Sequence, residues 1–420
     1  MGIGFFGSAS AGVPARLKAT PDDFRVTEIS SYPLPDPAGE FAVLRIVSHD
    51  WEQHELSAAI ARRLGLATSS LDWAGTKDRR AVAERLVSYR GPVPTAPLDL
   101  PRVEVVEAYR ARDGLVLGHH YGNSFDLRLD ELALPPDQTT VVYRTIEKEL
   151  RAAGGFPNFV GPQRFGEVRP ITHAVGRWVV RGDLARAVEV YLVDRPVGGK
   201  EGVGDGARAA YAEHHDAARA LREFPAEYRF ERTLLEHLAR GHPPERAFRA
   251  LSRDLRLLFV HAYQAYLFNL WMSRRVERGL PLDRPVPGDH ILRIGRDGTV
   301  RSQEGIPAGE DNLPECSDLV LRGRALVAGP LVGYETAPGE GVPGEILEDL
   351  LREEAIDRSL FRVRAAPEVA SKGAWRPVLL PLPPLFVAPD GSDGVRFRFA
   401  LPKGAYATVL LREFLKSAPA

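Results

Sequence analysis

Val395-Arg396-Phe397-Arg398-Phe399-Ala400-Leu401 stands near the end of a 420-residue chain. Apolar side chains occupy every second place. That period puts Val395, Phe397, Phe399 and Leu401 on one face of a β-strand, the buried one. Pro402-Lys403-Gly404 then turns the chain, and 405–415 carries an apolar-striped helix pattern. The same style marks the chain's beginning. Short β-like runs at 24–29 and 41–47 are followed by a helix at 53–64, where Leu56, Ile60 and Leu64 recur at helical spacing and Gly65 supplies a stop. Strands are predicted at 82–89, 102–109, 113–118 and 123–129, and a helix at 138–153. Between these ends the pattern changes. Residues 180–280 are helical throughout, including one helix over 207–221, and 281–336 is short, broken and β-like. A β-rich start and end around a helical middle predict an α+β fold with a mixed or antiparallel sheet, interrupted by an inserted second domain of α/β type. The expected boundaries are 1–179 and 375–420 for the outer domain and 180–374 for the insertion.

Composition narrows the function. Apolar residues make up 44% and charged residues 26% of the chain, the balance of a globular protein, which excludes wholesale disorder. A single cysteine, Cys316, excludes a disulfide framework and any multi-cysteine metal centre, and fits a reducing cytoplasm. The most apolar stretch, 257–272, carries His261, Gln264 and Asn269 and is too short to span a membrane. No cationic segment precedes an apolar core at the start, so no signal peptide is expected. The net charge of −1 argues against a small, uniformly basic nucleic-acid binder. It leaves room for a large enzyme with one basic face. Of 55 basic residues only seven are lysine. Arginine suits bidentate phosphate contact, although a GC-rich genome produces the same bias.

Three segments carry chemistry. Ala74-Gly75-Thr76-Lys77-Asp78-Arg79-Arg80-Ala81-Val82 places an acid between cations in a loop beside a strand. The cations favour the ionised form of Asp78, which covalent catalysis by a carboxylate requires. A solvated turn with surface ion pairs would look the same. Gly-x4-Gly-Lys-Ser/Thr is absent, so a nucleotide-phosphate loop is rejected and no nucleotide cofactor is expected. Pro157-Asn158-Phe159-Val160-Gly161-Pro162-Gln163-Arg164-Phe165-Gly166 combines amides that read a base edge with aromatics that stack on it, or else forms a tight structural turn. The third spans 397–414, where a strand, a Pro-Lys-Gly turn and a helix start set backbone N–H groups near Lys403. It is either an anion site or a plain core unit. The histidine pairs 49/54, 119/120 and 214/215 lack metal-ligand spacing, so no metal is expected.

With Leu17-Lys18-Ala19-Thr20-Pro21-Asp22-Asp23-Phe24, these segments resemble the TruD family of tRNA pseudouridine synthases, in order and at both ends of the chain. Arg169-Pro170-Ile171-Thr172-His173 and the 261–269 stretch resemble its archaeal branch. The resemblance implies isomerisation of uridine to pseudouridine at position 13 of tRNA, without metal or organic cofactor. It implies a pseudouridine-synthase catalytic domain interrupted by a TruD-specific one. It places the catalytic aspartate on Asp78, and substrate contacts on Phe24, Asn158, Phe399, Lys18 and Lys77. Lys18, Lys77, Arg79 and Arg80 are expected to meet phosphates. Arg62/Arg63, Arg274/Arg275, Arg322/Arg324 and Arg362/Arg364 would extend a track for the RNA backbone. Two places depart from the family's pattern. Val160 stands where many relatives carry an aromatic, which moves base stacking to a neighbour such as Phe159. Ala83-Glu84-Arg85 stands where many have Thr-x-Gln. An RNA-binding or chaperone protein that kept the scaffold and lost turnover is the rival reading.

Overall fold

The structure, a computed structural model, describes residues 1–77, 80–166, 168–195, 202, 204–296 and 298–416. The chain forms two compact units. One comprises Phe6–Phe156 and Pro381–Ala420, the other Met1–Phe5 and Pro157–Leu380.

The first unit is built on a sheet of β1 (Phe24–Ile29), β2 (Phe41–His49), β3 (Val82–Arg90), β4 (Val103–Ala111), β5 (Gly122–Asp130), β6 (Phe386–Asp390) and β7 (Gly394–Pro402), in the order β6-β7-β5-β1-β3-β2-β4. Two short strands, Arg16–Leu17 and Asp72–Trp73, pair onto β5 and β3. Only β1 and β3 run parallel; the other pairs are antiparallel. The register draws one row across the sheet: Phe399 opposite Phe125, Phe125 opposite Val26, Val26 beside Ala83, Ala83 opposite Ser48. Side chains two residues away in each strand share that face.

Helices cover this face at both sides. Gln53–Leu64 lays Leu56 and Ile60 onto Leu44, Ile46 and Val87. The Glu52 carboxylate caps its first N–H groups, and Gly65 ends it at φ 68. At the other side, Tyr143 of Pro136–Ala152 and Phe414 of Ala407–Leu415 pack on Phe397, with ring centroids 5.4 and 5.1 Å from it. The central strands β5, β1 and β3 lie between the two helix groups. The strand expected at 113–118 is a loop. Its apolar Leu115 is buried, but its N–H bonds to the Ser88 hydroxyl, and the Gly118 N–H bonds to the Ala74 carbonyl, so side-chain and turn partners replace a ladder.

In the second unit, helices including Thr172–Arg181, Leu184–Val193 and Arg253–Glu277 accompany a sheet of Val300–Ala308, Asp289–Ile294, Ala325–Leu331 and Ala374–Pro377, in that order and antiparallel throughout. The long helix is buried almost all round, through Phe259, Tyr263, Phe268 and Trp271. Thr172–Arg181 approaches it so closely that a Cβ on Gly176 would lie 1.9 Å from the Phe259 carbonyl oxygen. Arg275 and Asp289, both with wholly buried side chains, form an ion pair with a 2.8 Å contact. The helix expected over 207–221 is two, Asp205–His214 and Ala217–Glu223. His215 takes a left-handed conformation, and the Asp216 side chain caps the second helix.

The units divide at 156/157 and 380/381, where the sequence pattern put the breaks at 179/180 and 374/375. Thr172–Arg181 belongs with the long helix it touches, and Ala374–Pro377 with the strand it pairs. Among the described residues no helix is long and apolar enough to cross a membrane.

Two histidines of this unit, His173 and His261, have pKa values pushed down to about 4. Burial is the main cause, with the N-terminal amine adding to the shift at His173 and Arg164 at His261. An unfolded histidine protonates near ~6.5, so between pH 4 and 6.5 the unfolded chain binds more protons. Stability is therefore full above that range and falls as pH drops through it. Replacing either residue by Gln should flatten this acid-side slope by up to ~1.4 kcal/mol per pH unit in denaturant titrations. An unchanged slope in both variants would contradict the assignment.

Candidate active site

The segment before β1 is locked by its own side chains. Thr20 donates from its N–H (2.7 Å) and hydroxyl (2.8 Å) to the Asp23 carboxylate, closing a short turn that starts at Pro21. Phe24 then enters the sheet on its covered face, 2% exposed. Lys18, at φ 62, brings its amine 4.2 Å from the centre of the Phe24 ring. Phe24 and Phe399 do not act as a bare pair. Phe125 stands between them, with centroids 6.0 Å from Phe24 and 5.4 Å from Phe399. The three rings form one aromatic strip across β1, β5 and β7.

Beside the strip the same face turns polar. Glu28 follows Phe24 and Val26 inward along β1. Its carboxylate meets the Lys77 amine at 2.7 Å, with the two side chains 1% and 3% exposed. Burial lowers the Lys77 pKa, and Glu28 opposes that shift. Arg85 follows Ala83 inward along β3 and is also buried. Its guanidinium bonds to Gln53 and to Ser48, and lies 5.1 Å from the centre of the Trp73 ring. Burial pushes the Arg85 pKa down to about 10 against the pull of Glu28 and Glu52.

The loop leading to Asp78 is pinned at three points. The Ala74 carbonyl accepts from Gly118, and a Cβ on Gly75 would stand 3.0 Å from His120, so only glycine fits easily. Lys77 is held by Glu28. His120 is kept neutral by burial and by the Lys77 charge, its pKa lowered. On the far side of that loop, Lys403 donates its amine to the Gly118 carbonyl at 2.7 Å. Asp78 and Arg79 themselves lie outside the described residues.

The structure thus brings Lys18, Phe24, Lys77 and Phe399 into one unit and corrects several expectations. Lys77 faces a carboxylate in the interior, so it has no amine free for a phosphate. Arg275 is likewise spent on Asp289. Asn158 belongs to the second unit. There its Nδ2 donates to the Pro377 carbonyl at 2.8 Å, and its Oδ1 accepts from Arg376 at 2.8 Å, so the buried amide is held by its own unit. Phe159 is fully buried in that unit, with its ring 4.9 Å from Phe5. Glu28 and Phe125 went unread, and His120 was read only as half of a pair without metal-ligand spacing. Alternation along 24–29 would have marked Glu28 as inward, but no sequence pattern shows that Phe125 registers with Phe399. No group of His, Cys, Asp and Glu side chains among the described residues is arranged to hold a metal.

The comparisons with known proteins now bear on this site. The family model described as tRNA pseudouridine synthase D (TruD) matches residues 1–414. The chain belongs to the TruD family. A protein of Pyrococcus abyssi, named "Probable tRNA pseudouridine synthase D", is 36% identical over 97% of this chain and 98% of its own length. One of Methanosarcina mazei with the same name is 32% identical over 100% and 97%. A crystal structure of a TruD protein from Methanosarcina mazei superposes with a TM-score of 0.80 at 31% identity, covering 100% of this chain and 97% of that one.

A uracil ring seated on the aromatic strip would depend on the spacing that Phe125 sets between Phe24 and Phe399. Phe125→Leu keeps most of the volume, so its cost in stability should stay under ~1.5 kcal/mol. Its rate of pseudouridine formation should fall about tenfold, since a misplaced contact costs up to ~10²-fold. A variant as active as wild type would show that the ring does not shape the seat.

Proposed function

We propose that this chain isomerises uridine to pseudouridine in tRNA, at position 13 in the tRNA's own numbering, with the Asp78 carboxylate as nucleophile. The observation that carries the reading is the family match over residues 1–414. The loop that bears Asp78 supports it. Lys77 is drawn into the interior by Glu28, and Gly75 lies flush against His120. The site works in the cytoplasm.

The chemistry follows from the residues. The target base must leave its stack, at a cost of a few kcal/mol, offset by stacking and edge contacts in the enzyme. The Phe24–Phe125–Phe399 strip supplies the stacking surface. Lys18, above the Phe24 ring, places a positive charge at the rim for an RNA phosphate. Asp78 acts at ribose C1′ or at ring C6, or assists proton removal from the sugar. The bond from C1′ to N1 breaks, the ring turns, and C1′ joins C5. The C5 proton is lost and N1 gains one, so all atoms are conserved and the reaction calls for no cofactor.

Chemical mapping of pseudouridine in unmodified tRNA tests this. Wild type should form it at position 13. Asp78→Ala should form none while binding tRNA with affinity within about threefold, because its loss falls on the transition state rather than on binding. Normal product from Asp78→Ala would refute the nucleophile. Binding without product by the wild type would identify a silent RNA-binding scaffold.

A further inference from the structure

We propose that Glu28 is a positioning residue for the reaction, acting through its buried ion pair with Lys77 to fix the loop that carries Asp78. The inference rests on the reading of Asp78 as the nucleophile. Glu28 sits on the rigid central strand β1, fourth in line from Phe24, and holds the Lys77 amine at 2.7 Å across 49 positions of sequence. The Lys77 side chain is only 3% exposed, although its neighbour Thr76 is exposed. The lysine therefore ties a surface loop to the sheet interior. One peptide bond separates it from Asp78.

Neither partner has an alternative. The second Glu28 oxygen, Oε1, is buried and has no hydrogen-bond partner. Arg85 lies on the same face one strand over. β1 and β3 run parallel and in step, so Glu28 and Arg85 are each two residues beyond the paired Val26 and Ala83. The two terminal nitrogens of Arg85 bond to Gln53 and Ser48, while its buried Nε has no hydrogen-bond partner among the described residues. Arg85 acts on Glu28 only through its charge. Of the neighbouring groups, Glu52 caps a helix, neutral His120 abuts Gly75, and Lys403 bonds to Gly118. A buried pair of this kind is a weak source of stability, because desolvation offsets most of the attraction. Its geometric effect is larger: it sets where the loop's backbone lies relative to the Phe24 ring on the same strand.

The test compares single-turnover pseudouridine formation, tRNA affinity and melting temperature in wild type, Glu28→Gln, the double variant Glu28→Gln/Lys77→Met, and Asp78→Ala. Glu28→Gln should lose about 100-fold in rate with affinity within about threefold, the size expected of a small misplacement. The double variant removes both charges, so its melting temperature should return close to wild type. Its rate should stay at least about 30-fold low, since the tether is still missing. Recovery of rate together with melting temperature would make the pair merely structural and overturn the inference. So would a double variant that fails to fold, or a Glu28→Gln variant that turns over as wild type. If Asp78→Ala forms product, the nucleophile reading falls. If it forms none while Glu28→Gln stays fully active, only the positioning role falls.

Discussion

The antiparallel ladder between β5 and β7 is the constraint on which the site depends. It joins Val395 to Leu129 and continues without a shift to Pro402 opposite Gly122. The whole second-unit segment, residues 157–380, leaves the chain between these two strands. Closing so long a loop costs only logarithmically more entropy than closing a short one, and a long ladder with one buried face offsets it. A slip by one residue would turn Val395, Phe397, Phe399 and Leu401 to the opposite face. Phe399 would then lose Phe125, and the aromatic strip would be gone.

From that register the rest of the site follows in steps. β5 carries the row on to β1, which places Phe24 beside the strip and sends Glu28 inward further along. β3 continues it in parallel and sends Arg85 in beside Glu28. Helices at both sides of the sheet exclude water from this face but leave the central strands to the aromatic strip and the charges. In that setting an ion pair is held firmly, because a partner left alone in the interior would cost several kcal/mol. Apolar packing fixes the sheet, and the polar set fixes the loop.

Much of this was legible in the chain itself. The period-2 runs at 24–29 and 395–401 named the strands, and the helical run at 53–64 carried its own stop at Gly65. The conflict between local hydropathy and position hid Glu28: in β1 the acid points inward, while the apolar Ile29 next to it is 39% exposed. The 113–118 run looked like a strand because three apolar residues stand together, but only Leu115 is buried, and a hydroxyl and a turn satisfy the backbone. Phe159 and Asn158 carried the residue types of a base-reading site. Phe159 packs inside its unit, and Asn158 bonds there to Arg376 and Pro377, partners more than 200 positions away that only folding reveals. The boundary near 156 was invisible for a similar reason. Thr172–Arg181 joins the second unit through a glycine contact that no composition shift announces.

A structure of the Asp78→Asn chain bound to unmodified tRNA reads the central claim directly. The account predicts the target uridine everted, its ring against the Phe24–Phe125–Phe399 strip, and its C1′ or C6 about 3–3.5 Å from the residue-78 side chain, the separation of a reacting pair. A uridine still stacked in its helix, with residue 78 turned to solvent away from the strip, would contradict it.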